Sequence, residues 1–254
     1  MITPIKDDTK TNGCSTTLIS LIPQGSIVDS YLFYDGKLEF SLASNKVFVN
    51  AHTISKPIYF FWECLRENPK LVQEMVKVIS NKFTTESEFL VLQEKWHTNE
   101  NPYMVAALFF LLNRCSGTGL ISSGNLDPSK FNPLAVSRLS KFDYPEHFHL
   151  NYKEEDPLET LASHTNSDFS LVVAGKFNYN LFEYGKNIAI EQTPLNHRQL
   201  SKLMNERTKK IVATYDYHRA LKTVYNNCNL TFINDNGTVT DNEKFAKEVI
   251  VANF

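Results

Sequence analysis

Phe169-Ser-Leu-Val-Val173, then Leu195 to Glu206, then Lys210-Ile-Val-Ala-Thr214 read as strand, helix and strand, and this stretch decides the fold class. The two runs are short, apolar and rich in Val, as buried strands are. A helix between two such strands implies an α/β sheet with helices on its faces. Towards the C-terminus, Glu248-Val-Ile-Val-Ala-Asn-Phe254 reads as a last strand tied into the sheet. Towards the N-terminus, Phe148 to Tyr152 alternates as a strand and Pro157 to Ala162 suits a short helix.

Before these, the pattern changes. Val47-Phe48-Val49 reads as a short buried strand, and the apolar spacing over Pro57 to Leu65 predicts an amphipathic helix that Asn68-Pro69 interrupts. Pro69 can open the next helix, Lys70 to Asn81, and Thr85-Glu-Ser-Glu88 reads as a capping box ahead of Phe89-Leu-Val-Leu92. Tyr103 to Asn113 is the most apolar helix and therefore expected to be central. From Arg114 to Pro133, Gly117, Gly119, Gly124, Pro128 and Pro133 lie among serines, which is loop chemistry. The segment from Leu65 to Arg114 is nearly all helix, so it interrupts the α/β alternation as an inserted helical subdomain.

A chain of 254 residues, 42% hydrophobic and 21% charged, can bury one large core. Its longest apolar run, Met104 to Leu112, falls well short of the roughly 20 residues that span a bilayer. Residues 1–17 contain Asp7-Asp8 and Lys10-Thr-Asn where a secretory signal needs an apolar run, so the expected site of action is intracellular, in cytoplasm or nucleus, with no membrane partner. Cys14, Cys64, Cys115 and Cys228 lie far apart, which indicates neither zinc nor a disulfide framework. The formal net charge of -2 gives no whole-protein attraction to phosphate, so DNA binding would need a local basic face.

Read in order, Ile27-Val-Asp29, Val47-Phe-Val-Asn50, Tyr59-Phe-Phe-Trp62 with Arg66-Glu-Asn-Pro69, Glu88-Phe-Leu-Val-Leu92, Leu111-Leu-Asn-Arg114, Leu195-Asn-His-Arg-Gln-Leu200 and Lys247 to Phe254 follow the element sequence of Dam-type DNA adenine methyltransferases. The chain resembles that family over nearly its whole length. The resemblance implies a methyltransferase-type, Rossmann-like, mostly parallel sheet, with residues 1–64 and 146–254 as the α/β core. It further implies that residues 65–145 are a mainly helical insertion similar to a target-recognition region, which in the family contacts DNA. The family's core holds S-adenosylmethionine and receives a flipped adenine.

The residues that carry this chemistry in the family are replaced here. A glycine-rich turn should follow the first strand, because only glycine lets the backbone approach the cofactor closely. After Asp29 the chain instead places Leu32, Phe33 and Tyr34, and only Gly36 remains, itself readable as a hairpin or bulge residue in Asp35-Gly36. At the end of the second strand the family's ribose-binding acid is replaced by Asn50, His52 or Thr53. The family's Asp-Pro-Pro-Tyr, which positions the adenine amino group and stacks on the extruded base, becomes Ala174-Gly175-Lys176-Phe177 after the strand from Phe169. An alternative alignment uses Glu191-Gln-Thr-Pro194 after Ile188-Ala-Ile190, keeping an acid and losing the aromatic ring.

The resemblance therefore implies a catalytically inactive, methyltransferase-like chain acting as a DNA-binding or structural subunit beside an active methyltransferase or another protein, with no cofactor. The alternative is a divergent active adenine methyltransferase that uses S-adenosylmethionine. The DNA contacts are expected from Arg114, Lys130, Arg138 and Lys141, which face only Asp127 in that stretch. Arg198, Lys202, Arg207, Lys209 and Lys210 make a second basic segment. His147 and His149 fall on one face of a strand but lack a third metal ligand, and no Gly-x-Ser-x-Gly elbow supports hydrolysis.

Overall fold

A computed structural model describes residues 3–6, 13–83, 85–116, 121, 127–163, 166–175, 177, 195–206 and 208–254. Seven strands form one sheet: β1 (Ile27–Tyr31), β2 (Phe48–Thr53), β3 (Phe148–Tyr152), β4 (Phe169–Gly175), β5 (Ile211–Asp216), β6 (Asn229–Asn234) and β7 (Ala246–Ala252). Their order is β3-β2-β1-β4-β5-β7-β6. β1 to β5 pair in parallel, while β7 runs antiparallel between β5 and β6. This is a Rossmann-like α/β fold with a mostly parallel sheet flanked by helices.

Helices cover both faces. α1 (Cys14–Leu21), α2 (Lys37–Ser44) and α3 (Lys56–Glu67) lie on the face that carries Val28, Val49 and Phe148. α8 (Pro157–Ser163), α9 (His197–Glu206) and α10 (Leu221–Val224) lie on the face that carries Tyr31, Val172 and Tyr215. The long crossover from β2 to β3 holds α3, α4 (Pro69–Lys82), α5 (Glu86–Lys95), α6 (Pro102–Cys115) and α7 (Pro133–Leu139). Their apolar faces join the core that contains Val28, Ala51 and Leu150, so these helices bury against the sheet side rather than around a core of their own.

Three of these helices start by the same device. Asn68, Asn101 and Asn132 each precede a proline at the first turn, and each accepts a backbone N–H, from Leu71 (3.1 Å), Met104 (3.1 Å) and Leu134 (2.8 Å). Proline there loses nothing, because the first-turn N–H groups have no helical partner. Thr85 and Glu88 form the capping box expected of α5.

At four points the structure corrects the sequence reading. α1, α2 and β6 are elements that the sequence pattern does not announce. Strand β2 begins at Phe48 rather than Val47 and continues to Thr53, and Phe48 is 47% exposed. Asp35-Gly36 makes no hairpin: Gly36, at φ 71°, is the N-cap of α2. Pro133 opens a helix instead of closing a loop. Gly117, Gly119, Gly124 and Arg207 lie outside the described residues.

The end of α2 carries a testable strain. Lys46 N–H donates to Ala43 O (3.0 Å) and Val47 N–H to Leu42 O (3.2 Å), the paired bonds of a Schellman cap, with exposed Lys46 at φ 63°. That left-handed position disfavours any Cβ. Lys46→Gly should therefore stabilise the fold by about 0.5–1 kcal/mol. A urea midpoint that moves down would contradict this.

Candidate functional site at the strand ends

Open α/β sheets bind ligands at the carboxyl ends of the strands, where the strand order reverses. Here that point lies between β1 and β4. The turn leaving β1 keeps a left-handed residue, but it is Leu32, at φ 64°. Leu32 is 4% exposed, Phe33 0% and Tyr34 7%. Leu32 belongs to the same buried apolar cluster as Ala174, Val172, Leu158 and Leu161. Phe33 turns to the opposite face, with its ring centroid 6.0 Å from Phe40, 5.8 Å from Trp62 and 5.3 Å from Phe148. Trp62 Nε1–H donates to Tyr34 O (2.8 Å), which ties the turn to α3. A Cβ on Gly36 would collide with the Phe40 ring, so this glycine serves packing.

The other residues matching the family's cofactor contacts are committed to the sheet. Asp29 sits mid-strand, buried, with Oδ1 3.6 Å from His52 Nε2. Burial pushes its carboxyl up, but hydrogen bonds with His52 and Ser167 outweigh that and hold it below the ordinary carboxylate value. His52 stacks on Tyr31 at 5.1 Å, which accounts for it as a residue of the sheet face. Thr53 ends β2 buried, and its Oγ1 accepts from Ser55 N–H (3.1 Å) in a local turn.

At the end of β4, Ala174 is buried and Gly175 adopts φ 59°, next to a register shift against β5. Lys176 and the alternative Glu191 to Pro194 lie outside the described residues. Phe177 is stacked with His197 (4.4 Å, 23°) and His218 (5.0 Å, 12°), so its π surface is already engaged. His197 Nδ1 is 3.0 Å from Tyr215 OH, which is 2.5 Å from Tyr225 OH. Burial lowers the His197 pKa and raises that of Tyr215, so this chain of polar groups is neutral. It can orient a ring or pass a hydrogen bond, but it carries no carboxylate.

An open cleft of about 760 Å³ lies instead beyond the ends of β2 and β3. Ile54, Pro57, Phe60 and Val105 give it apolar walls, with Tyr152, Lys56, His97 and Glu154 at polar positions. Lys56 Nζ already lies 5.5 Å from the Phe60 ring centroid, and Tyr152 OH donates to Glu154 Oε1 (2.5 Å). Burial lowers the His97 pKa. The volume suits a small molecule.

The basic residues divide into two sets. Arg114 ends α6 half-buried, while Lys130, Arg138 and Lys141 are exposed nearby in sequence and Lys6 reaches the same helix end. In the late segment, Lys209 Nζ donates to Leu161 O (2.8 Å) and Ala162 O (3.3 Å), and Lys210 lies over Phe169 and Phe254. Those two cations are occupied by the fold. Arg198 and Lys202 remain along a shallow cleft of about 560 Å³ between α9 and α10. The His147 ring lies 4.7 Å from that of Phe48, tilted by 56°, and among the described residues no three His, Cys, Asp or Glu gather to hold a metal. None of the four cysteines is in a disulfide. Among the described residues no helix is long and apolar enough to cross a membrane.

Sequence reasoning missed Lys6, His197, Tyr215 and the cleft residues His97 and Tyr152. Lys6 meets Arg114 across 108 positions, and nothing in local composition announces such a pair. No family model matches the chain, and no characterised protein is significantly similar to it in sequence.

Proposed function

We propose that this chain is a methyltransferase-fold protein that transfers no methyl group and acts as a DNA-binding or structural subunit. The observation that supports the reading is that bulky Leu32, in the turn after β1, is buried in one apolar cluster with Ala174 at the end of β4. S-adenosylmethionine needs a backbone turn open to its approach, and these residues do not fit it there. Among the described residues the end of β4 likewise offers no acid to hold an amino group, and Phe177 is stacked already. DNA contact is assigned to Arg114, Lys130, Arg138 and Lys141, beside an active methyltransferase or another protein partner.

Calorimetry with S-adenosylmethionine tests the first half: folded protein should give no binding heat. Gel shifts with duplex DNA test the second. Affinity should fall steeply with salt, and alanine at Arg114, Lys130 or Arg138 should flatten the slope by about one unit for each phosphate partner it removes. Retention that ignores both salt and these variants would remove the DNA half.

A second reading, a divergent active adenine methyltransferase, is favoured by one feature, the cleft at the ends of β2 and β3 with Tyr152 and Glu154 on its wall. The two readings part on Ala174→Asp combined with Lys176→Pro. Under the first, this double variant still methylates no adenine-containing DNA, because the turn after β1 remains closed. Methyl transfer above background would reverse the preference.

A further inference from the structure

Lys56 and Glu154 line the cleft beyond β2 and β3 from two different elements. Lys56 opens α3, and its ammonium lies 5.5 Å from the ring centroid of Phe60, one turn further along that helix. Glu154 follows the end of β3 by two residues, and its Oε1 accepts from the Tyr152 hydroxyl (2.5 Å). Each charged side chain is thus held by a ring of its own wall. Among the described residues neither forms a salt bridge, so the two opposite charges share one cleft without neutralising each other.

The rest of the lining decides what can enter between them. Ile54, Pro57, Phe60 and Val105 offer apolar surface, and at about 760 Å³ the cleft has room for a ligand with a sizeable apolar body. Glu100 is a second acid of the lining. An anion alone would therefore face two carboxylates, and a cation alone would face the Lys56 ammonium, whereas a ligand of both signs meets each with its opposite. The first turn of α3, with Lys56 and Pro57 in the lining, adds the partial positive charge of a helix N-terminus on the lysine side. His97 lines the cleft as well, and its Nδ1 is buried without a hydrogen-bond partner, a polar atom that the fold itself leaves unsatisfied.

We propose that this cleft binds a zwitterionic amino acid with a large apolar side chain, its carboxylate on Lys56 and its amine on Glu154. The apolar side chain lies against Ile54, Phe60 and Val105. The site goes beyond the function proposed above, since it needs neither DNA nor the turn after β1.

Calorimetry with three related probes tests it: L-tryptophan, tryptamine, which lacks the carboxylate, and indolepropionate, which lacks the amine. L-tryptophan should bind, and the other two should each bind about tenfold more weakly, the consequence of one missing charge-assisted hydrogen bond. Lys56→Gln should weaken L-tryptophan and indolepropionate but spare tryptamine. Glu154→Gln should weaken L-tryptophan and tryptamine but spare indolepropionate. Both side chains are exposed, so the two variants should keep the fold, and Lys244→Gln, far along the chain, should change nothing. A loss that falls alike on all three probes would mean a merely structural role and would overturn the assignment. Equal affinity for the three probes, or no heat from L-tryptophan at millimolar concentration, overturns the site. S-adenosylmethionine on the same protein keeps the two questions apart. Heat from L-tryptophan alone supports the site and leaves the first functional reading in place, heat from both supports the site and turns to the second reading, and heat from S-adenosylmethionine alone overturns the site together with the first reading.

Discussion

Phe33→Gly is expected to cost about 3–5 kcal/mol of stability and to leave S-adenosylmethionine binding unrestored. Naively, a glycine in the turn after β1 makes it more like a glycine-rich turn that a cofactor can approach. The packing argues otherwise. Phe33 is fully buried and its ring meets Phe40, Trp62 and Phe148, with Phe40 in turn 5.0 Å from Trp62 and 4.7 Å from Phe148. These rings join β1, α2, α3 and β3, so deleting one leaves a cavity that several elements border. The glycine adds an entropic cost of up to about 1 kcal/mol, and no left-handed strain is relieved, because that strain sits at Leu32. The void also opens on the wrong face: Phe33 packs with α2 and α3, whereas Leu32 and Ala174, at the ends of β1 and β4, belong to the apolar cluster on the other. Denaturant unfolding and calorimetry on the same variant check both halves. A loss under about 1 kcal/mol would deny Phe33 its role in the core, and cofactor heat would deny that the turn is closed.

The parts of the fold that are legible in the sequence are those in which one physical signal dominates. β4, α9 and β5 each bury one clear pattern, and α6 is apolar on all sides because it is wrapped by α3, α4 and the 3-10 turn at Trp96. Strand β6 is hidden, since only Ile233 of its six residues is buried and its order, Asn-Leu-Thr-Phe-Ile-Asn, reads as a polar edge. Helices α1 and α2 are eight residues each and start at glycines with no side-chain cap. The repeated Asn-Pro is visible but only partly legible: Asn68-Pro69 reads as the end of one helix and the opening of the next, whereas Pro133 reads as loop chemistry, although asparagine before it makes a helix start. For the site, bulky residues in the turn after β1 are readable directly. The stacking of Phe177 between His197 and His218, and the arrival of Lys6 at α6, depend on tertiary geometry that local sequence does not encode.

Glu248→Ala should destabilise the fold by about 2–3 kcal/mol at pH below the ordinary carboxylate value, and by less at neutral pH. α1 begins at Gly13, which has no side chain to cap it. Glu248 of β7 supplies the cap from the far end of the chain: Oε1 accepts from Gly13 N–H (3.2 Å) and Oε2 from Cys14 N–H (2.8 Å). Substituting it by alanine leaves two helix N-terminal donors without acceptors in a buried place, next to a backbone approach so close that a Cβ on Gly13 would press on Ile233 and Gly237. The pH dependence follows from competing influences on the carboxyl. Burial is the largest and raises its pKa, the Cys14 and Gly13 hydrogen bonds lower it, and Asp216, opposite it on β5, raises it again. The balance lies above the ordinary value of 4.5. A carboxyl held above its unfolded value favours the native state while protonated, so that advantage is complete below 4.5 and is lost as pH rises through the folded value. Glu248→Gln isolates this, because glutamine is neutral throughout and keeps one acceptor for the amides. The stability of wild type relative to Glu248→Gln should fall as pH rises across that window, read from urea unfolding at a series of pH values. A rise instead would mean that the two helix amides outweigh burial, and that the ionised carboxylate is the form α1 holds.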